Sequence, residues 1–330
     1  MCQIIRITTL IFLFVAATYQ QTSTSSDKWY KGNTHTHTLN TDGRDIPYDV
    51  AKWYREHGYN FVVMTDHEYI TPVAPINDLL GRTDKFLVIS GQEVTDRSEE
   101  KPIHSNGLGL TKIVMPSKLA TKVESLQKNI DNIRAAGGIP QLNHPNFGWA
   151  LSAAEIKQLK GFRLMEIYNG HPMVNNLGGG PAFPSAEAIW DELLTSGMTI
   201  FAIGDDDVHQ LQSKGEAIEA LPGQAWIYVR ASELTSAAIL TAIDKGDFYA
   251  STGVELAEYK ADRNQISIKV KATTFSKYRI LFIGSGGKIL QENPAPDAVY
   301  KINGNEGYVR AKILESNGKL AWTQPVFVGK

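Results

Sequence analysis

Eight histidines are spread over 330 residues, and seven of them stand near the expected C-terminal ends of strands or in the loops that follow. His35 and His37 lie in NTHTHTLNTDG. Alternate residues of an extended segment face the same way, about 7 Å apart, so two imidazoles there can share one metal ion. Asp42 precedes Gly43, where a turn former is the plain alternative to a ligand. Thr65–Asp66–His67 closes the apolar run FVVMT, and Glu93 follows FLVIS in GQEVT, where an acid either bridges two cations or makes a surface salt bridge. His104 opens PIHSNGLGL, and His144 ends IPQL in NHPN, where Pro145 fixes the backbone just after it. GDDDVH ends TIFAI with Asp205, Asp206, Asp207 and His209. Three adjacent carboxylates repel one another, and either a cation or a solvated acidic loop relieves that repulsion. Each motif is weak alone. Together, on separate strand ends, they converge if a metal cluster is present. His57 differs: WYREHGY places it in the last turn of a helix before Gly58, a structural position. His171 in EIYNGHP either lines the cleft or is a plain loop residue.

The elements that must carry these residues alternate. Short apolar strands are expected at 61–65, 86–90, 139–142, 164–168, 199–203 and 225–229. Helices are expected at 47–57, 121–136, 152–159, 185–196 and 232–245, the last started by Ser232 and stopped by Gly246. Non-alternating apolar strands separated by helices imply a parallel sheet buried on both faces, in a barrel-like or doubly wound α/β domain. After about residue 254 the period becomes two, as in QISIKVKA, with turn clusters GSGG, ENPAP and SNGK between runs. That predicts a small antiparallel β-sandwich. It contains no histidine, which suits a packing or docking module, with carbohydrate or surface binding as the alternative.

The chain carries 33 Lys+Arg against 35 Asp+Glu and is 42% hydrophobic, which excludes a disordered or fibrous protein and a broad nucleic-acid footprint. A single cysteine, Cys2, excludes a disulfide framework and a Cys-based zinc site. Arg6 followed by the apolar run 7–17 and the small residues Ala16 and Ala17 reads as a signal peptide over 1–20. The run is too short to span a bilayer. A polar tether is expected at 21–28, a metal-dependent hydrolase domain at 29–253 and the β-domain at 254–330.

The ordered set HTH, Asp42, TDH, GQE, His104, NHP and DVH resembles the polymerase and histidinol phosphatase (PHP) family of metal-dependent phosphoesterases. The resemblance runs from about residue 33 to 209 and on through GDFYASTG at 246–253. It implies an α/β fold with a distorted (β/α)7 barrel and two or three divalent transition ions (Zn, Mn or Fe) at the strand C-termini. By motif, His35, His37, Glu93 and Asp207 would hold the first ion. Glu93 would bridge to a second, completed by His104 and His144, while Asp42, His67 and His209 would hold a third. Asp42 stands where many relatives have His, and Asp66 would orient a ligand from behind. The implied activity is that of an exported phosphoesterase cleaving a phosphate mono- or diester through a metal-bridging hydroxide. Glu93 and Asp207 would act at its centre, with Arg44, ahead of Arg97 and Lys214, as the phosphate-contacting cation. A small-molecule or glycan-linked phosphate ester is the expected substrate, with neither nucleic acid nor stable membrane insertion. The alternatives are an amidohydrolase-type hydrolase, which lacks support from a strand-end Lys, and a non-catalytic metal-binding module.

Overall fold

The computed structural model describes residues 27–81 and 85–329. The expected signal peptide lies outside the described residues, and so does the tether up to residue 26. Lys28 already belongs to the first strand. In chain order the elements are β1 (Lys28–Asn33), α1 (Pro47–Glu56), β2 (Phe61–Met64), α2 (Ala74–Leu80), β3 (Leu87–Ser98), β4 (Lys101–Leu108), α3 (Lys122–Ala135), β5 (Ile139–Leu142), α4 (Ala153–Ile156), β6 (Leu164–Asn169), α5 (Ala186–Thr195), β7 (Phe201–Asp205), β8 (Trp226–Ala231), α6 (Ser236–Lys245) and β9 (Phe248–Ser251).

β1, β2 and β3 are parallel neighbours, as are β5, β6 and β7. All four residues of β2 are buried, as a strand covered on both faces requires. The sheet is mixed, however. β4 runs antiparallel between β3 and β5, and β8 and β9 extend the β1 edge antiparallel. The strand expected at 86–90 continues to Ser98 and turns back into β4 through Glu99 and Glu100, whose φ values are 51° and 61°. A two-residue turn with both φ positive normally shows as Asn-Gly or Asp-Gly; here Glu-Glu does the same work without that signal. This hairpin is what brings His104 beside Glu93.

The expected barrel is present only in its coarser form, an α/β fold with a large mixed sheet. The strand path is open, running from β13 to β7, and the segments that follow β1 and β7 meet beyond the strands, where Thr36 bridges Val208 in parallel. There His37 N–H donates to Val208 O and Asp207 N–H donates to His35 O, both at 3.0 Å. These contacts draw the first and last site-bearing segments together at the C-terminal rim.

The helix ends follow local chemistry. Thr121 with Glu124 and Ser152 with Glu155 form reciprocal capping boxes. Thr235 caps α6 in place of the expected Ser232, and Gly246 ends it at φ 80°. α4 has only four residues, far shorter than its expected range.

The remaining strands are β10 (Leu256–Ala261), β11 (Gln265–Val270), β12 (Tyr278–Gly284), β13 (Lys288–Asn293), β14 (Asp297–Lys301), β15 (Tyr308–Glu315), β16 (Leu320–Thr323) and β17 (Val326–Phe327). β10, β11 and β14 form a three-stranded antiparallel sheet. Its inward residues Ile266, Ile268 and Tyr300 share one core with Ile280 and Phe282 of β12 and Val309 and Ile313 of β15. β16 pairs with β9, so hydrogen bonding runs without a break from β13, β12, β15 and β16 into the site-bearing sheet.

A buried charge locks the two regions. Arg310 on β15 is 1% exposed and reaches Asp191 on α5 through Nε at 2.8 Å and Nη2 at 2.6 Å. Tyr308 donates to the same carboxylate at 2.7 Å, and Glu187 takes a further guanidinium contact. Removing one partner strands a buried charge, so Asp191→Ala should destabilise the protein by about 3–5 kcal/mol. Urea denaturation checks this, and a loss under about 1 kcal/mol would show the pair to be dispensable.

Candidate metal centre

The residues expected to hold metal arrive from separate strand ends. Past β1, Thr36 turns its hydroxyl toward Val63 O of β2 at 2.8 Å, while its N–H meets Thr65 Oγ1 at 2.9 Å. With Thr36 pinned outward, His35 and His37 face inward together, both essentially inaccessible. Glu93 sits within β3 rather than after it, opposite the isolated bridge to His67. His144 and Asp207 have φ values of 21° and 51°. Non-glycine residues held in the left-handed region store strain, and such positions concentrate at functional sites.

Four donor atoms form the first group. His35 Nε2 lies 3.1 Å from His37 Nε2, 3.3 Å from Glu93 Oε2 and 3.3 Å from Asp207 Oδ1. His37 Nε2 lies 3.3 Å and 3.1 Å from the same two oxygens. Tetrahedral ligands at zinc-like bond lengths stand about 3.3 Å apart, so these edges fit one ion. His35 Nδ1 is 2.7 Å from Glu166 Oε1. Donation of its proton there leaves a bare Nε2 lone pair facing a second imidazole, a contact that a cation or proton must relieve. Glu93 turns its other oxygen, Oε1, to His104 Nδ1 at 3.1 Å and His144 Nε2 at 3.4 Å. The third group centres on Asp42 Oδ2, which is 3.1 Å from His67 Nε2 and 3.2 Å from His209 Nε2. His37 Nδ1 is a buried nitrogen without a hydrogen bond, 3.4 Å from Asp42 Oδ1. The structure thus gathers eight of the nine residues expected as ligands into three adjoining groups, with Asp207 beside the His35–His37 pair, and a fourth group of His35, Glu166 and Asp205 lies behind them; the donors suit divalent ions.

Around them lies a hydrogen-bonded shell. Asp66 accepts from Thr38 N–H at 2.8 Å, Thr41 at 2.9 Å and Thr71 at 2.5 Å, which staples the 38–43 loop carrying Asp42. Asn143 donates to Glu93 Oε1 at 2.8 Å, and Asn169 donates to Asp207 Oδ2 at 3.1 Å. Glu166 went unnoticed in the sequence, although an acid inside the apolar strand LMEIY was a usable signal. The Asp triplet does not act as one cluster. Asp206 accepts three backbone N–H bonds from Gly223, Gln224 and Ala225 plus the Tyr54 hydroxyl, and Asp205 accepts from Thr34 and Gln141. Of the three, Asp207 lines the cavity; hydrogen bonds satisfy Asp206, while burial beside Glu166 pushes the Asp205 carboxyl well up, toward its neutral form.

A cavity of about 220 Å³ opens over the groups, lined by His37, Asp42, His67, Glu93, His104, His144, His171, Asp207 and His209 on one side and Phe147, Met173 and Val174 on the other. His171 therefore lines the cleft. Arg44 does not: its guanidinium is exposed and forked onto Glu216 at 2.7 and 2.6 Å. Among the described residues neither Arg97 nor Lys214 lines the cavity either. His57 stacks on Trp53 at 3.8 Å and contacts its carbonyl at the end of α1, a structural role as expected.

Burial alone would push the His35 and His37 imidazoles down, but the facing Asp207 and Glu93 carboxylates push both up, His37 to about 10. Burial opposes the charge of Glu93 and Asp207 too, yet the surrounding imidazoles hold both well below the usual carboxylate range. The raised imidazoles stabilise the metal-free fold fully below about 6.5 and lose that contribution as pH climbs toward 10. The depressed carboxylates contribute above their ordinary 4.5 or 3.8 and lose it on acidification. Metal-free protein should therefore melt at progressively lower temperature from pH 6.5 to 9.5. Cation uptake near pH 7 should release protons, measured by calorimetry in buffers of different ionisation enthalpy. A flat melting profile together with proton-neutral uptake would contradict these couplings. Glu166→Gln should weaken cation affinity by about 10–100-fold, whereas His57→Ala should leave it unchanged, both read by competition with a chelating dye.

No protein-family model and no curated protein matches this sequence. Solved structures do. A two-domain protein from Bacteroides vulgatus containing a predicted PHP-like metal-dependent phosphoesterase aligns over 91% of this chain and 96% of its own, with TM-score 0.51 and 16% identity. A candidate metal-dependent phosphoesterase from Bifidobacterium adolescentis covers 57% of this chain and 89% of its own at TM-score 0.39 and 14% identity. An amidohydrolase from Chromobacterium violaceum, with bound sulfate and no metal, covers 58% and 92% at TM-score 0.42 and 16% identity. The first likeness shows that this chain shares its overall fold with that protein along nearly the whole length of both.

Proposed function

We propose that this chain is an exported, metal-dependent phosphoesterase that hydrolyses a phosphate mono- or diester over the Glu93-centred groups. The observation that carries the reading is the split of the Glu93 carboxylate, with Oε2 in one donor group and Oε1 in the next. His35, His37, Glu93 and Asp207 would hold one divalent ion, and Glu93, His104 and His144 a second. Asp42, His67 and His209 would hold a third. When bound, such ions activate water near neutral pH and neutralise phosphate charge.

The chain's own residues do the rest. A phosphate monoester brings roughly two negative charges at pH 7 toward a cavity that already holds Asp42, Glu93 and Asp207. Among the described residues no Lys or Arg lines it. Its acceptance of an anion therefore depends on cations held by these side chains. Glu166 keeps His35 in the tautomer that presents Nε2, Asp66 keeps the Asp42 loop in place, and Phe147 covers the apolar side of the cleft. The mixed imidazole and carboxylate donors favour Zn, Mn or Fe over Ca or Mg. The lack of a lining Lys leaves the carbamate-bridged alternative without support. Export rests on the apolar run at 7–17. Among the described residues no helix is long and apolar enough to cross a membrane. N-terminal sequencing of the secreted protein, expected to start between residues 18 and 21, checks this part.

Purified protein loaded with Zn, Mn or Fe should hold two to three ions and release phosphate from simple esters. Glu93→Ala and Asp207→Ala should each lower turnover by roughly 10³-fold or more. His209→Ala should spare the Glu93 pair and act more through the Michaelis constant. Fewer than one ion per chain after loading, by elemental analysis, would overturn the reading.

A further inference from the structure

The cavity lining is chemically two-sided. Apart from His171, every polar side chain on its floor belongs to the three donor groups. The opposite wall is Phe147, Met173 and Val174, and among the described residues the lining includes no Ser, Thr, Asn, Gln, Lys or Arg. A sugar, a polyol or a second phosphate entering here would give up water without finding partners. Buried hydroxyls left unpaired are strongly disfavoured.

The wall is built rather than floppy. Phe147 pairs with Val174 in an antiparallel bridge, and its ring lies 5.3 Å from that of His144. The Asn146 carboxamide donates to Asn175 O and Pro184 O, both at 3.0 Å. Asn176 clasps the Asn169 backbone, accepting from its N–H at 2.9 Å and donating to its carbonyl at 2.8 Å. The same loop leaves Met173 48%, Leu177 82% and Phe183 43% exposed, with Phe183 against Trp149 at 4.6 Å. Met173 thus belongs both to the cavity lining and to the exposed surface. His171 Nδ1 accepts from Met173 N–H at 3.2 Å, which leaves the proton of a neutral ring on Nε2. One donor suffices for an ester oxygen and is too few for a polyol.

We infer that the substrate is a phosphate ester of an apolar alcohol, alkyl or aryl, whose carbon portion lies on Phe147, Met173 and Val174. The inference rests on the phosphoesterase reading and narrows it. In the reaction, a water oxygen bonds to phosphorus and the phosphorus–oxygen ester bond breaks. The alcohol leaves with a proton, and inorganic phosphate remains.

The test is a homologous series in which leaving-group acidity is nearly constant. With metal-loaded protein, kcat/KM should rise from ethyl through butyl to hexyl phosphate, about twofold per methylene on a half-open wall and so roughly 16-fold over the four added methylenes. Glycerol phosphate, a sugar phosphate and a nucleoside monophosphate should all fall below butyl phosphate. Met173→Ser, at a half-exposed position, and Phe147→Ala should flatten the chain-length slope, mainly through KM. Ethyl-, butyl- and hexylphosphonate, which cannot be hydrolysed, should show the same order in calorimetric binding. A flat phosphonate series, or a preference for the sugar phosphate, would overturn the inference while leaving the phosphoesterase reading intact. Absence of hydrolysis with every ester would instead overturn the reading, and the phosphonate order would still decide whether the wall binds apolar groups.

Discussion

Glu93 is a fully buried carboxylate at the meeting point of three strands, and the surrounding architecture answers the cost of its charge. A lone anion in such a place is expensive, and proteins tolerate it only with countercharge and hydrogen bonds. Here five imidazoles approach its two oxygens: His35, His37 and His67 at Oε2, and His104 and His144 at Oε1. Asn143 supplies the amide donor. Bringing those groups together requires β1, β2, β4 and β5 to end or pass within reach of β3, and that requirement explains the antiparallel insertion of β4 in an otherwise parallel run.

Rigidity around the site comes from polar anchors more than from packing. Asp66 and Asp206 are both sequestered by backbone and hydroxyl donors, each fixing a loop that delivers a ligand. Glu166 sets the orientation of His35 from β6, on the far side of the sheet order from β1. Such partners determine how well a donor set is preorganised, because a ligand free to rotate loses the geometry its ion needs. Below them the core of Phe61, Leu142, Leu164, Met165 and Ile203 is conventional and apolar. The C-terminal strands join this framework through the β9–β16 pairing and the Arg310–Asp191 lock, so they buttress α5 and the sheet edge rather than hang from a linker.

The cleft combines a cation-demanding floor with an apolar wall. In the proposed reaction this division would separate two tasks: ions held on the side chains would meet the charge of the phosphoryl group, and surface removed from water would supply affinity for the remainder. Arg44, forked onto Glu216, takes part in neither.

Much of the candidate site was legible in the linear sequence, because metal ligation restricts residue type and strand ends restrict position. HTH, TDH, GQE, NHP and DVH each announced a donor, and the apolar runs at 61–65 and 164–168 announced the strands that carry them. His57 was separable from the rest by its helix-end context alone. What the sequence could not disclose were the relations set by tertiary pairing. The Glu99–Glu100 turn lacks turn residues, so the hairpin that swings His104 to Glu93 was invisible. Three consecutive aspartates looked equivalent until hydrogen bonding drew Asp205 and Asp206 into the interior and left Asp207 in the cavity. Arg44 is close to the ligands in sequence yet faces Glu216, and Glu166 is distant in sequence yet holds His35. Local chemistry dictates which residues can bind, but direction and proximity depend on long-range strand register, which one-dimensional patterning does not encode.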